Sequence, residues 1–419
     1  MNLFVYGLSI SILVLLGAIL KPKIQVIGIF RTIANVNNQQ CSRIDGLEAC
    51  EDIFVDQPTG IAYLACSSRK QRAHWIPAMN LLNYQKVQGL SADYVAILDL
   101  KTSEHRKLRF ENLPDRLLQN GIHTHGLDLF IHPEPSDSDV ETQSAETESK
   151  QSQPRHASLY LINHRFPDDD QSSGTADSVI EVFDTTIGSD QATHRRTIQH
   201  DLIVTPNNLV ALNQDSFYVT NDHRRKKHWT RNLDTFFLDS ALNSVIYCSF
   251  DQSMMQCIPA LHGRHHFPNG IAKGPGNTIY MANTLDARLR LLEIQPDHTL
   301  VIKEDIKVPR IIDNLYVTKS GSVFIAAIPS VLKFQSMLGE SHKEKSALVS
   351  PSEVWKFSNL TTGTTSSPSN RFSLERVFAD DGNQVSCTTG VAVWDSKLFM
   401  TGIASPYLSV CEVDQNLAI

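Results

Sequence analysis

One pattern recurs along this chain of 419 residues and restricts its fold more than any other feature. An apolar, strand-like run opens on one or two polar or small residues, breaks at a short polar turn, and returns as a second apolar run. The clearest copy runs from Thr205 to Asp222, opening on Pro206-Asn207-Asn208 and closing on Asn221-Asp222. Asn269-Gly270-Ile271-Ala272 leads through Gly276-Asn277 to Ile279-Tyr280-Met281-Ala282-Asn283. Asp313-Asn314-Leu315-Tyr316-Val317 leads through Ser320-Gly321 to Val323-Phe324-Ile325-Ala326, and Thr389-Gly390-Val391-Ala392-Val393 through Asp395-Ser396 to Leu398-Phe399-Met400-Thr401. Two copies are less regular. Thr59-Gly60-Ile61-Ala62 keeps the opening but lacks the turn, and His125-Gly126-Leu127-Asp128 finds its return strand, Leu159 to Asn163, only beyond a long polar insertion.

Hairpins repeated every several tens of residues, with turn chemistry between them and little helical periodicity, predict an all-β propeller or array. Six copies predict six blades closed around one axis. The repeat also aligns positions. Thr59, His125, Asn207, Asn269, Asp313 and Thr389 share a first slot, and Gly60, Gly126, Asn208, Gly270, Asn314 and Gly390 a second. Equivalent positions on inner strands stand at one height around a propeller channel, so His125, Asn207, Asn269, Asp313 and Asn314 are expected at one mouth.

The length would allow two or three domains, but a propeller absorbs it as one, here over residues 41–412. Net charge of −7 argues against a nucleic-acid partner and suits a cation ligand. The basic run Arg224-Arg225-Lys226-Lys227 reads as a solvated loop. Leu3 to Leu20 is almost wholly apolar, about the minimum for a membrane span, with Lys21 and Lys23 behind it. Residues 1–22 are therefore expected to be a signal peptide, or a signal anchor that ties the chain to the membrane if uncleaved. The expected location is the secretory pathway, secreted or anchored on the lumenal or extracellular side. Asn359-Leu360-Thr361 is a glycosylation sequon, in keeping with export. Seven cysteines leave at least one free thiol. Residues 133–154 are rich in Ser, Glu, Asp, Thr and Gln and are expected to form a disordered insertion in the second blade. His223 to Asp239 carries Trp229, Phe236, Phe237 and Leu238 among basic residues, the best stretch for an added helix or lid.

The chemistry is expected at the mouth. Glu51-Asp52 precedes the first copy, and with Asn207, Asn208, Asp313 and Asn314 it supplies carboxylate and amide oxygens. That donor set suits Ca2+, which takes six to eight oxygen ligands, and the lack of a Cys/His cluster argues against zinc. Singly, each Asn or Asp is an ordinary turn former; the metal reading rests on their shared slots.

Cys41, Gly46-Leu47-Glu48, Glu51-Asp52, Thr124-His125-Gly126-Leu127, Asn163-His164, Pro206-Asn207-Asn208, Thr220-Asn221-Asp222-His223, Phe267-Pro268-Asn269-Gly270-Ile271, Asp313-Asn314 and Cys411-Glu412 resemble, in order and spacing, the paraoxonase/arylesterase family. The resemblance runs from about Cys41 to Glu412. It implies a six-bladed propeller with two calcium ions in its tunnel, hydrolysing lactones and aryl esters. Carried over by position, Glu51, Asn207, Asn243, Asp313 and Asn314 would hold the catalytic ion, with Asn243 fixed only to within one residue. Asp52, the Leu127 carbonyl and Asn208 would hold a deeper one. Asn208 departs from the Asp usual there, and Ala327-Ile328 from the Cys-His of mammalian members. His125 and His164 match the histidine pair assigned to general-base work.

On this reading calcium polarises the carbonyl oxygen while a histidine of near-neutral pKa, His125, takes a proton from water; a carboxylate, Glu51 or Asp313, is the competing base. A disulfide between Cys41 and Cys411 is expected to join the ends of the repeats; Cys248 and Cys257 are close enough in sequence to pair. Two other functions stay open: a non-catalytic, calcium-stabilised binding scaffold, and a strictosidine-synthase-like propeller that condenses amines with aldehydes without a calcium cage.

Overall fold

The computed structural model describes residues 21–90, 93–134, 154–167, 174–227, 244–341, 343, 348–359 and 371–414. Six antiparallel sheets follow one another along the chain. Their inner strands are Ile53–Asp56, Thr124–Ile131, Pro206–Asn213, Pro268–Lys273, Ile311–Val317 and Gly390–Trp394, in blades one to six. Each inner strand contacts the next, and the sixth contacts the first, so the ring closes as a six-bladed propeller. The second blade gains a fifth strand, Arg109–Glu111, paired parallel to its edge. Among the described residues no helix is long and apolar enough to cross a membrane. Residues 1–20, most of the 133–154 insertion and 228–243, where the lid was expected, lie outside the described residues.

The strands are nearly continuous apolar runs because each blade is covered on both faces. Alternation along a strand sends successive side chains to opposite neighbours. Leu209, Phe217, Val219 and Ile246 face the second blade, whereas Val210, Tyr218, Val245 and Tyr247 face the fourth. Tyr63, Leu159 and Phe183 fill the layer between blades one and two. Each fully buried aromatic of this kind stabilises by about 1.5–3 kcal/mol.

Closure uses both ends of the chain. Cys41–Ile44 pairs as the outermost strand of the sixth blade against Leu408–Glu412, in the register Cys41 to Cys411. The expected disulfide spans that pair, and a second joins Cys248 to Cys257. A third, Cys50 to Cys66, went unread in the sequence, and Cys387 is the free, buried thiol.

One alignment needs correction. Thr59-Gly60 does not open the first inner strand; it lies in the turn between Ile53–Asp56 and Ile61–Cys66. There Gly60 takes φ +74° and Thr59 Oγ1 donates to Asp56 Oδ2 at 2.6 Å. Glu51-Asp52 is the first blade's opening pair, with the following residues already paired as Ile53 to Leu64. The sequence hid this because its first strand is only four residues long.

With that change the slots have a common cause. In blades two to five, two inner-strand residues oppose one residue of the next strand: His125-Gly126 opposite Ile162, Asn207-Asn208 opposite Thr220, Asn269-Gly270 opposite Ala282, and Asp313-Asn314 opposite Ala326. Such a bulge bends the strand and re-aims its side chains, here at the axis. Glycine at the second slot of even blades lets neighbours close in. A Cβ on Gly126 would stand 2.8 Å from Asn208 Cα, and one on Gly270 2.6 Å from Asn314 Cα. Larger residues therefore occur there only on odd blades, as Asp52, Asn208 and Asn314.

Candidate functional site

At the mouth, Glu51, His125, Asn207, Asn269 and Asp313 are all buried. Buried polar atoms are nearly always paired, yet Glu51 Oε2, Asn207 Oδ1 and Asn269 Oδ1 have no hydrogen-bond partner. The remaining atoms of these side chains are held. Asn314 Nδ2 donates to Glu51 Oε1 at 2.8 Å. Asn207 Nδ2 donates to Asp222 Oδ2 at 3.3 Å, while Asp222 Oδ1 pairs with His223 Nδ1 at 2.7 Å. The Asn269 side chain is hydrogen-bonded to Asp313. Each amide is thus pinned on its nitrogen side, which leaves its oxygen free.

Burial, with Asp52 and Asp313 nearby, pushes the Glu51 carboxyl well above the usual range. Burial likewise lifts Asp313 to about 7, against the opposing hydrogen bond from Asn269. Carboxylates gathered without compensating charge are costly, and a cation among them reverses that cost. The donor set of two carboxylates and two free amide oxygens therefore fits a hard, oxygen-seeking ion. Among the described residues there is no group of three or more His, Cys, Asp or Glu side chains placed to hold a metal ion.

His125 and His164 lie side by side, ring centroids 5.1 Å apart at 67°. His125 Nε2 is 4.0 Å from Glu51 Oε1, and its Nδ1 has no partner. His164 Nδ1 pairs with Ser178 Oγ at 2.8 Å, and its Nε2 is unpartnered. A near-neutral histidine was expected; burial and then the Arg72 charge hold His125 down at about 3. Burial, followed by the neighbouring His125, holds His164 well below its ordinary value. Both rings are neutral at physiological pH. A void of about 10 Å³ lies against His164, Ser178, Pro206 and Asp222, about the room one water needs.

The structure brings Glu51, His125, His164, Asn207 and Asp313 together and places Asp52, Asn208 and Asn314 one layer below. Leu127 lies beside them, its N–H donating to Asp52 Oδ2 at 3.1 Å. Asn243 lies outside the described residues, whereas Asn269, aligned by the repeat but not assigned as a ligand, presents a free oxygen to the mouth. Arg72 was also missed. Its guanidinium is buried, donates to the Thr124 carbonyl at 2.8 Å and stands 3.8 Å from Asp93. It sits on a four-residue helix, Arg69–Arg72, whose sequence looks like exposed polar loop. Asn359, the sequon asparagine, ends a strand and is exposed.

A buried ring of oxygen donors and a histidine pair thus stand together at one mouth of a six-bladed propeller. The chain belongs to the arylesterase family, whose family model matches residues 32–412. It is 23% identical over 372 residues to serum paraoxonase/arylesterase 2 of Canis lupus familiaris, with 88% of each chain covered. It is 21% identical to serum paraoxonase/arylesterase 1 of Rattus norvegicus, again over 88% of each. Among solved structures it is similar in fold to the Malassezia sympodialis allergen Mala s 1, with a TM-score of 0.50 at 11% identity, covering 90% of this chain and 97% of that one.

Proposed function

We propose that this chain is a calcium-dependent hydrolase of lactones and aryl esters, working at the mouth bounded by Glu51, Asn207, Asn269 and Asp313. The observation that carries the reading is the set of three unpartnered buried oxygens, Glu51 Oε2, Asn207 Oδ1 and Asn269 Oδ1, converging from blades one, three and four. Calcium held there supplies Lewis-acid polarisation of a substrate carbonyl oxygen. The chain's own residues do the rest. Asp222 and Asn314 hold Asn207 and Glu51 in place, so little ordering remains when the site fills. His125 accepts the proton of the attacking water at a ring nitrogen; burial leaves the ring unprotonated but weakly basic, and Glu51 or Asp313 is the competing base. His164, fixed by Ser178, orients His125. Asn314 reaches both layers and steadies the ligand set instead of offering a free oxygen.

Export completes the reading. The apolar stretch Leu3 to Leu20 directs the chain to the secretory pathway, where three disulfides form, and ties it to the membrane if retained. The test is hydrolysis of a simple lactone and of phenyl acetate by the purified chain, before and after chelation and after calcium is restored. Turnover that disappears with chelator and returns with calcium is expected. A calcium-saturated protein with no turnover, whose melting temperature still rises with calcium, would mark a binding scaffold instead.

A further inference from the structure

Beneath the mouth the axis is closed by three side chains from alternate blades, Asp52, Asn208 and Asn314. The resemblance places a second, deeper ion among Asp52, Asn208 and the Leu127 carbonyl. The hydrogen bonds there leave it little to bind. Asp52 Oδ1 accepts from Ile53 N at 2.9 Å, and Oδ2 from Leu127 N at 3.1 Å. Asn208 Oδ1 accepts from Leu209 N at 2.6 Å, and its Nδ2 donates to Asn314 Oδ1 at 2.6 Å. The Asn208 amide also stands close enough to the Asp52 carboxylate to favour its charged form. None of the unpartnered buried atoms belongs to these three residues, in contrast to the layer above.

We infer that an amide clip replaces the deeper cation: Asn208 links Asp52 to Asn314, and the chain takes one resident divalent ion, at the mouth. This rests on the calcium reading above and sharpens it. An amide N–H does between Asp52 and Asn314 what a cation would do between carboxylates. One carboxylate is also a poor anionic share for a buried calcium site. The clip forms the floor of the mouth, for Asp52 and Asn208 also border the cavity of about 370 Å³ that continues down the axis between Phe54, Asp128, Lys273 and Tyr316.

The experiment is calcium per chain, by elemental analysis after exhaustive dialysis against micromolar calcium, with Tb3+ luminescence titration as a second count. One equivalent is expected for the parent. Asn269→Ala should lose it. Asp52→Asn should keep it, and Asn208→Asp, which restores a carboxylate in the lower layer, should bind two. Two equivalents in the parent overturn the inference, as does an ion lost from Asp52→Asn but retained by Asn269→Ala. None in the parent would instead remove the calcium reading itself, so the two failures are distinct. If Asn208→Asp fails to fold, the parent count still decides.

Discussion

The disulfide between Cys50 and Cys66 closes directly beside Glu51, the carboxylate at the head of the first blade. The ladder continues it, with Glu51 N donating to the Ala65 carbonyl at 2.9 Å and Ala65 N to the Asp52 carbonyl at 3.2 Å. Both carboxylates therefore leave a backbone ordered before any ion arrives.

Removing that bond in Cys50→Ala/Cys66→Ala should act twice. A closed loop of this length is worth about 3 kcal/mol in the chain-entropy model, so melting should fall with or without calcium. Ordering one residue's backbone costs about 1–2 kcal/mol, and shifting that cost onto ion binding should weaken calcium affinity by about tenfold. Thermal melts across a calcium titration measure both. Unchanged affinity alongside a lower melting temperature would reduce the disulfide to a staple.

His125→Gln separates chemistry from binding. The side chain holds none of the free oxygens, so calcium affinity and melting should stay within error while lactone turnover falls by about 10²-fold or more, the usual size of a general-base contribution. Ser178→Ala, which frees His164 to rotate, should lower kcat by a smaller factor and leave KM unchanged. Steady-state kinetics on both decide it. Full turnover in His125→Gln would move the proton transfer to Glu51 or Asp313.

The repeat was legible because its period and turn residues are local, and the slots followed from it. Blade one was misaligned because Glu51-Asp52 is followed by too short a strand to show a period; the three-dimensional pairing of Ile53 with Leu64 supplies what the pattern lacked. Asn269 stood in its slot of the repeat but was not read as a ligand, because position-by-position matching assigned that role to Asn243, which lies outside the described residues. Arg72 and Asp93 act through contacts to Thr124 of the second blade, and Ser178 through its cross-strand pairing with His164, so no spacing along the chain announces them. The low proton affinity of His125 comes from burial, which residue type does not encode.

Asn314→Ala breaks a joint between the two layers. It removes the hydrogen bond to Glu51 Oε1 and leaves the Asn208 amide without its acceptor. An unsatisfied buried group costs about 1–3 kcal/mol, so melting should fall by several degrees, and calcium affinity and turnover should fall together. Turnover lost with calcium binding intact would instead make Asn314 a substrate contact.

Asp128 gives the tunnel a pH-dependent stability. Its Oδ2 accepts from Ala211 N at 2.9 Å, and burial, opposed by that bond and by Leu129, lifts the carboxyl to about 7. In the unfolded chain an aspartate titrates near 3.9. Between those values the folded chain holds a proton that the unfolded chain has released. The stabilisation is therefore full below about pH 4, declines as pH rises, and is lost above about pH 7. Asp128→Asn cannot ionise, though it keeps an acceptor for one of the two backbone donors. Relative to the parent, its stability should climb by on the order of a few kcal/mol between pH 4 and pH 7, measured by denaturant unfolding at a series of pH values in fixed calcium. A difference between the two proteins that stays constant across that range would show that Asp128 is already ionised in the folded chain.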